Sequence, residues 1–236
     1  MTTLLIATRN AHKVGEIQAI LGPGFHCLTL KEFPAAPPVV EDAPTFAGNA
    51  TKKAVELARW LSTRSINYQP STINYVLADD SGLEVDTLNG APGVHSARFA
   101  ALDRSADSLS ASPHENSKDS DNNTKLLRLL KDIPPEKRTA RFRCVIALVP
   151  VPFEKVESSS PVCFVDELEA RTFDGACEGR IQLFPSGANG FGYDPLFVPD
   201  GFKQSFAELG EEVKNKLSHR AKALDKLKAY FSNCRS

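Results

Sequence analysis

Residues 75–82, Tyr75-Val76-Leu77-Ala78-Asp79-Asp80-Ser81-Gly82, change abruptly from an apolar run to two carboxylates, a hydroxyl and a glycine. The apolar half predicts a buried strand that ends at Ala78 and leads into a polar loop. In open α/β sheets ligands bind where strands end, and adjacent carboxylates usually stay hydrated or meet a cation. The stretch therefore fits a divalent metal site or an acid–base pair. It also fits a solvated turn or helix cap, because Asp and Ser favour both.

The beginning of the chain predicts a strand, a polar loop and a helix. Residues 4–7 are a continuous apolar run, which is typical of a central strand covered on both faces. Residues 8–13, Thr8-Arg9-Asn10-Ala11-His12-Lys13, then lead into apolar residues at helical spacing that end at Gly22. The first turn of such a helix can hold an anion, although a capped helix with a solvent lysine would look the same.

Three further segments carry polar or aromatic residues in suggestive places. Glu41 precedes a helical apolar stripe and by itself looks like an acidic helix cap. Phe191 stands in a glycine-rich loop. Such a loop can leave the ring open to stack on a flat base, but the same pattern fits a Phe that faces the core from a turn. The last segment, 206–231, predicts a helix with one apolar stripe and one basic face.

Residues 103–123 are rich in Ser, Asp and Asn, and predict a flexible surface insertion.

Composition excludes several classes of protein. With 236 residues the chain is long enough for one α/β domain, and its net charge of −1 argues against general nucleic-acid binding. The five cysteines include no C-x-x-C pair and the histidines no H-x-x-x-H pair, so reduced thiols are expected and zinc is not. We expect a cytoplasmic protein without a membrane span, because no apolar run approaches the roughly 20 residues of a membrane helix and residues 1–7 do not form a signal peptide.

Taken together, these motifs resemble the inosine triphosphate pyrophosphatase family, whose members hydrolyse non-standard purine nucleoside triphosphates. The resemblance spans nearly the whole chain. The matching pieces are residues 8–13, Glu41, Thr45-Phe46, Asn49-Ala50, Lys53, residues 78–83, Gly90-Ala91-Pro92-Gly93, Ser96-Ala97-Arg98, residues 191–195 and Ser218-His219-Arg220.

The resemblance implies a fold, a reaction and a cofactor. It implies a single α/β domain, with an elongated mixed β-sheet and flanking helices that form two lobes around a central nucleotide cleft, and a homodimer. It further implies Mg²⁺-dependent hydrolysis of ITP, dITP and XTP to the nucleoside monophosphate and pyrophosphate. Magnesium suits such a site because it prefers oxygen ligands and bridges carboxylates to phosphates.

The resemblance also implies a role for each matching residue. Glu41 and Asp80 would bind the metal, and Asp80 would take the proton of the attacking water with Ser81 beside it. Phe191 would stack on the base. Within the motif 8–13, Thr8, Asn10 and Lys13 would hold phosphates. The implied substrate-binding residues are Thr8, Arg9, Asn10, Ala11, His12, Lys13, Lys53, Ser81, Phe191, Gly192, Tyr193, Asp194, Lys214, His219 and Arg220.

Three departures from the family pattern qualify this assignment. Gly48 stands where members often have Glu, Arg9 stands where they often have Gly, and the insertion at 103–123 looks longer than usual. Two alternatives stay open. One is a pyrophosphatase for modified pyrimidines or other damaged nucleotides, and the other is a non-catalytic nucleotide or RNA binder that uses the basic last helix.

Overall fold

The structure, a computed structural model, describes residues 1–63, 73–103, 116–151 and 169–233. Strands and helices alternate at the start of the chain, which confirms the predicted α/β class. The elements in chain order are β1 (Thr2–Ile6), α1 (Ala11–Leu21), β2 (Phe25–Thr29), α2 (Phe46–Thr63), β3 (Tyr75–Val85), α3 (Asp119–Leu129), β4 (Thr139–Pro150), β5 (Arg171–Ile181), β6 (Phe197–Pro199), α4 (Phe206–Leu217) and α5 (His219–Asn233).

The six strands form one mixed sheet in the order β2-β1-β3-β4-β5-β6. β1 runs parallel to β2 and β3, and the remaining neighbours are antiparallel. One hydrophobic cluster packs α2 on one face of β1, β3 and β4, and a second packs α1 and α5 on the opposite face. A third lies at the other end of β3 and β4, with α3, α4 and β6. The middle of β3 therefore lies where three cores meet.

β3 continues past Ala78 through Asp79 and Asp80 to Val85, so the prediction that this strand ends at Ala78 is wrong. The reason is β4, which pairs with β3 along its whole length, from Tyr75 opposite Pro150 to Val85 opposite Ala140. Successive side chains of a strand point to opposite faces. Asp79 therefore faces α1 and α5, and Asp80 faces α2.

Other boundaries also differ from the predictions. Asp174-Gly175 in the sequence predicts a break between two strands, but β5 runs through Gly175, because it pairs with β4 there, opposite Cys144. Glycine fits this position because α5 packs so closely that a Cβ atom would collide with the backbone of His219 and Ala223. The last segment forms two helices that meet at Ser218 instead of one. Of the predicted insertion 103–123, residues 104–115 lie outside the described residues, and the stretch from Asp119 onward is already helix α3, so the insertion reaches less far than predicted.

Among the residues that the structure describes, no helix has both the length and the apolar character that crossing a membrane requires.

Candidate active site

Asp79 is the centre of a buried charge network on one face of the sheet. Its carboxylate is 0% exposed, and it lies 2.6 Å from the ammonium of Lys13 and 3.1 Å from Nε of Arg220. The Ser81 hydroxyl donates to Oδ1 at 3.1 Å and the Cys144 thiol to Oδ2 at 3.0 Å. Burial alone would raise the pKa of Asp79, but the charges of Arg220 and Lys13 outweigh it and hold that pKa well below its usual range. Asp79 is therefore ionised and fully partnered.

Asp80 points the other way, toward α2. Asn49 donates its side-chain amide to Oδ2 at 3.1 Å, and the Lys53 ammonium lies 3.5 Å from Oδ1. Burial raises the pKa of Asp80 to about 6, the nearby Glu41 carboxylate adds to the rise, and Lys53 and Lys13 partly offset it. A carboxyl group with such a pKa can both hold and release a proton near neutral pH, as a general base must.

Glu41 reaches the same place from the segment before α2. Its Oε1 lies 3.1 Å from the Lys53 ammonium, which also donates to the carbonyl of Asp79 at 2.8 Å. The buried Arg98 holds this segment by donating to the carbonyl of Glu41 at 2.9 Å. Glu41 is thus not a helix cap but a carboxylate that faces Asp80 across one cation.

Gly48, one of the departures from the family pattern, packs against this segment. A Cβ atom at Gly48 would lie 2.8 Å from Cβ of Ala43 and 3.1 Å from the Thr45 hydroxyl. Asn49, the next residue, accepts from the Ala43 amide at 2.9 Å. Glycine therefore lets the segment that carries Glu41 lie close against the first turn of α2.

Glu41 and Asp80 could hold a divalent cation only together with further ligands. Within the described part of the chain no group of three or more His, Cys, Asp or Glu side chains could hold a metal alone. Magnesium is usually held by one or two carboxylates together with water and substrate phosphates. Glu41 and Asp80, both next to one ammonium position, offer that donor set.

The motif at 8–13 divides between two cavities. Asn10 caps α1, because its Oδ1 accepts from the amides of His12 at 3.0 Å and Lys13 at 3.2 Å, and Thr8 in turn accepts from the Asn10 amide at 3.2 Å. Asn10 and Lys13 line a cavity of about 170 Å³ beside β3. Arg9 instead donates to the carbonyl of Ala36 at 2.9 Å. Thr8, Arg9 and Ala11 line a different cavity, of about 490 Å³.

Phe191 is the aromatic wall of the 170 Å³ cavity. The imidazole of His12 stacks on its ring, with 5.3 Å between centroids and 18° between planes, and the Lys214 ammonium lies 4.5 Å from the ring centroid. Asp194 fixes the loop by accepting from the Phe191 amide at 2.9 Å. The Tyr193 hydroxyl donates to the carbonyl of Ser96 at 2.9 Å. The cavity is lined by Asn10, Lys13, Ser81, Gly82, Ser96, Ala97, Asn116, Ser117, Asp119, Asn122, Phe142, Phe191, Gly192, Tyr193, Asp194, Lys214, His219 and Arg220.

Lys214 and Arg220, to which the family resemblance gives a part in base recognition, are already paired within the protein. Lys214 lies 2.5 Å from Asp194 and 2.7 Å from Glu16, and it is 3% exposed. Arg220 contacts Glu16 through Nη1, Asp79 through Nε, and the Ser81 hydroxyl through Nη2 at 2.9 Å. All three nitrogens of the guanidinium therefore have protein partners, so direct donation by Arg220 to a base carbonyl stays a prediction.

His219 is a neutral imidazole at the edge of this network. Burial, reinforced by the charges of Arg220 and Lys214, holds the pKa of His219 well below its usual range. The ring stacks on Phe142 with 4.8 Å between centroids, and its Nδ1 has no hydrogen-bond partner among the described residues.

Sequence reasoning missed two acids that organise the site. The sequence offers Asp79 only as one of two adjacent carboxylates and does not predict its pairing with Lys13 and Arg220, and it gives no role to Glu16, which binds both Lys214 and Arg220. Glu16 follows Lys13 by three residues and so shares its helix face. That spacing was the available signal, but a Glu on a helix is usually solvated.

The chain is similar to known proteins along nearly its whole length. A model of the Ham1 family matches residues 4–230. A dITP/XTP pyrophosphatase from Desulforamulus reducens is 44% identical over 224 residues, which cover 94% of this chain and 92% of that protein. One from Geobacter sulfurreducens is 43% identical over 232 residues, which cover 98% and 97%.

Solved structures show the same fold. The structure of the Staphylococcus aureus Ham1 protein superposes with a TM-score of 0.72 at 32% identity, covering 98% of this chain and 99% of that one. A HAM1 protein from Coxiella burnetii gives a TM-score of 0.72 at 31% identity, with 99% and 100% covered.

Proposed function

The chain belongs to the Ham1 family, and on this premise we propose that it hydrolyses the non-standard purine nucleoside triphosphates ITP, dITP and XTP with Mg²⁺, releasing the nucleoside monophosphate and pyrophosphate. Its class is that of its relatives: a nucleoside triphosphate pyrophosphatase, which is a hydrolase of phosphoric anhydride bonds. The role would be to remove these nucleotides from the pool.

One observation carries the proposal. Two carboxylates from distant parts of the chain, Glu41 and Asp80, face a single ammonium at 3.1 and 3.5 Å. Asp80 and Lys53 are buried, and the Glu41 side chain beside them is 35% exposed. Burying charged groups is costly, which favours a functional reason for their presence. On the other side of β3 a cavity with an aromatic wall adjoins Lys13.

The residues divide the chemistry between them. Glu41 and Asp80 would hold Mg²⁺, and the bound ion would neutralise negative charge on the triphosphate. Asp80 takes the proton of the attacking water, and the amide of Asn49 orients its carboxylate. Lys53 and Lys13 contribute positive charge for the phosphates, so that the site works by positioning and electrostatic stabilisation.

Base selection would rest on the 6-carbonyl that hypoxanthine and xanthine share. Adenine carries an amino group there, so a site built from donors leaves an unpaired clash with it and can reject it by about 10⁴-fold or more. Lys214, His219 and Arg220 lie at this cavity, and Phe191 would stack on the ring. Guanine shares the 6-carbonyl, so its rejection must depend on the 2-position.

We also propose a cytoplasmic homodimer, on the family resemblance alone. Light scattering coupled to size-exclusion chromatography would test the dimer.

An RNA-binding function is disfavoured by the pairing of the basic face of α5. Lys226 lies 2.9 Å from Asp174, Lys228 lies 2.7 Å from Asp225, and Lys222 donates to the carbonyl of Ala176 at 2.8 Å. These local partners reduce the charge available to a phosphate backbone.

The test is pyrophosphate release from a panel of triphosphates with wild type, Glu41→Gln and Asp42→Asn. Asp42 is the matched control, because it is adjacent in sequence but pairs with the partly exposed Lys52. We expect Glu41→Gln to lose at least about a hundredfold in kcat/KM with ITP, a loss on the scale of removing one charged transition-state contact, and Asp42→Asn to keep wild-type turnover. Preference for a pyrimidine triphosphate would overturn the purine assignment.

A further inference from the structure

The loop that carries Phe191 is held from outside by helix α3. Oδ2 of Asp119 accepts from the amide of Gly192 at 2.6 Å, and the side-chain amide of Asn123 donates to the carbonyl of Gly192 at 3.0 Å. Residues four apart lie on one face of a helix. One face of α3 therefore forms hydrogen bonds with both the amide and the carbonyl of Gly192, the residue that follows Phe191.

The loop around Phe191 needs such contacts to keep one conformation. Gly190 and Gly192 flank Phe191 with φ angles of +78° and +63°, in the left-handed region that glycine adopts most readily. A glycine-rich loop has many conformations in solution, and fixing them costs conformational entropy. Hydrogen bonds from the protein itself that fix the ring lower the entropic cost of binding.

Helix α3 is in turn hydrogen-bonded to the turns at 93–103, which also line the cavity. The buried Asn122 accepts from the amide of Ala100 at 2.8 Å and donates to the carbonyl of Ala97 at 3.3 Å. Asp119 and Ser117 line the same cavity as Phe191. The start of α3 thus links the 93–103 turns to the loop that carries Phe191.

We propose that Asp119 and Asn123 are positioning residues for the base, which act through Gly192 to orient the Phe191 ring. This rests on the proposed function, because it takes the ligand that stacks on Phe191 to be a purine. It gives the end of the Ser/Asp-rich segment a role in nucleotide recognition, separate from the phosphate chemistry at Lys13 and Lys53.

The test compares a ligand with a base and one without. Binding of inosine monophosphate and of inorganic tripolyphosphate is measured by calorimetry for wild type, Asp119→Ala, Asn123→Ala and Asp121→Ala. Asp121 is the matched control, because it is the other acid in the first turn of α3 and is likewise exposed, whereas the side-chain hydrogen bonds to Gly192 among the described residues come from Asp119 and Asn123. Thermal unfolding of each variant controls for stability.

We expect Asp119→Ala to weaken inosine monophosphate about tenfold, about 1.4 kcal/mol, and Asn123→Ala to weaken it in the same direction. Tripolyphosphate binding should stay within about twofold, since alanine at these positions removes stacking geometry but no phosphate contact. With ITP as substrate the same variants should raise KM and leave kcat nearly unchanged.

The outcomes separate this inference from the proposed function. Wild-type protein that binds inosine monophosphate while Asp119→Ala and Asn123→Ala bind it equally well would overturn the positioning role alone. Equal weakening of both ligands would also overturn it. Should Asp119→Ala fail to fold, Asn123→Ala decides. Wild-type protein that binds no inosine monophosphate and releases no pyrophosphate would overturn both proposals.

Discussion

Replacing Asp79 by Asn should destabilise the protein far more than removing any surface carboxylate. The side chain is 0% exposed and lies within 3.1 Å of both the Lys13 ammonium and the Arg220 guanidinium. Removing one partner of a buried ion pair leaves uncompensated buried charge, at a cost of about 3–5 kcal/mol. Lys13 is partly exposed, at 16%, and Glu16 still pairs with Arg220, so we place the loss near the lower limit, about 3 kcal/mol.

The assay is urea unfolding at pH 7 of wild type, Asp79→Asn and Asp174→Asn. Asp174 is the matched control, an aspartate of the same sheet whose ion pair with Lys226 is also short, at 2.9 Å, but which is 65% exposed. Solvent screens such a pair, so the control should lose at most about 1 kcal/mol.

The Asp79 effect should also depend on pH with a definite sign. Because the folded pKa of Asp79 lies well below its unfolded value, its contribution is present above about pH 4, the unfolded value, and is lost as pH falls through the folded pKa. The difference between wild type and Asp79→Asn should therefore shrink on acidification below about pH 4. A loss at pH 7 no larger than that of Asp174→Asn would refute the view that these cations are held by Asp79.

Further predictions concern the metal, the base and the thiols. Since the pKa of Asp80 without metal is about 6, Mg²⁺ must displace a proton at lower pH; its calorimetric affinity should weaken below pH 6, and an affinity that is flat with pH contradicts the assignment. His12→Ala should raise KM for ITP several-fold, as the loss of an aromatic contact of about 1 kcal/mol would, and His12→Phe should restore it; an unchanged KM would count against a role for the stack. Burial raises the pKa of Cys144 well above its usual value, so mass spectrometry should find it unalkylated by iodoacetamide at pH 8 in the native protein and alkylated in urea; rapid native modification would show that it is accessible.

Much of the fold could be predicted because its signals are local. The strand, loop and helix at the start and the amphipathic α2 follow from hydrophobic periodicity and from the glycine that ends α1. The end of β3 could not be predicted this way. Its extension through Asp79 and Asp80 depends on pairing with β4, which is some 65 residues away in the chain.

In the site, too, some residues could be predicted from local motifs, and others depend on contacts between distant parts of the chain. Motif matching brought Lys13, Glu41, Asp80 and Phe191 into consideration, and the structure places Glu41 and Asp80 at one cation, and Lys13 and Phe191 at one cavity. The partners of Arg220 were not predictable, because a cation on a helix gives no sign of which buried acid it will meet. The leucine-rich stretch from Thr124 predicts the later part of helix α3, but its first turn, from Asp119, was not predictable, because a polar turn in an Asp- and Ser-rich stretch resembles a loop.

The central claim is that Glu41 and Asp80 serve one catalytic centre, and a double-mutant cycle tests it most directly. Pyrophosphate release from ITP is measured as kcat/KM for wild type, Glu41→Gln, Asp80→Asn and the double variant. Groups that act as a unit are strongly non-additive, so we predict that the double variant is about as impaired as the worse single variant. Losses that multiply, as they would for two independent sites, would contradict the account.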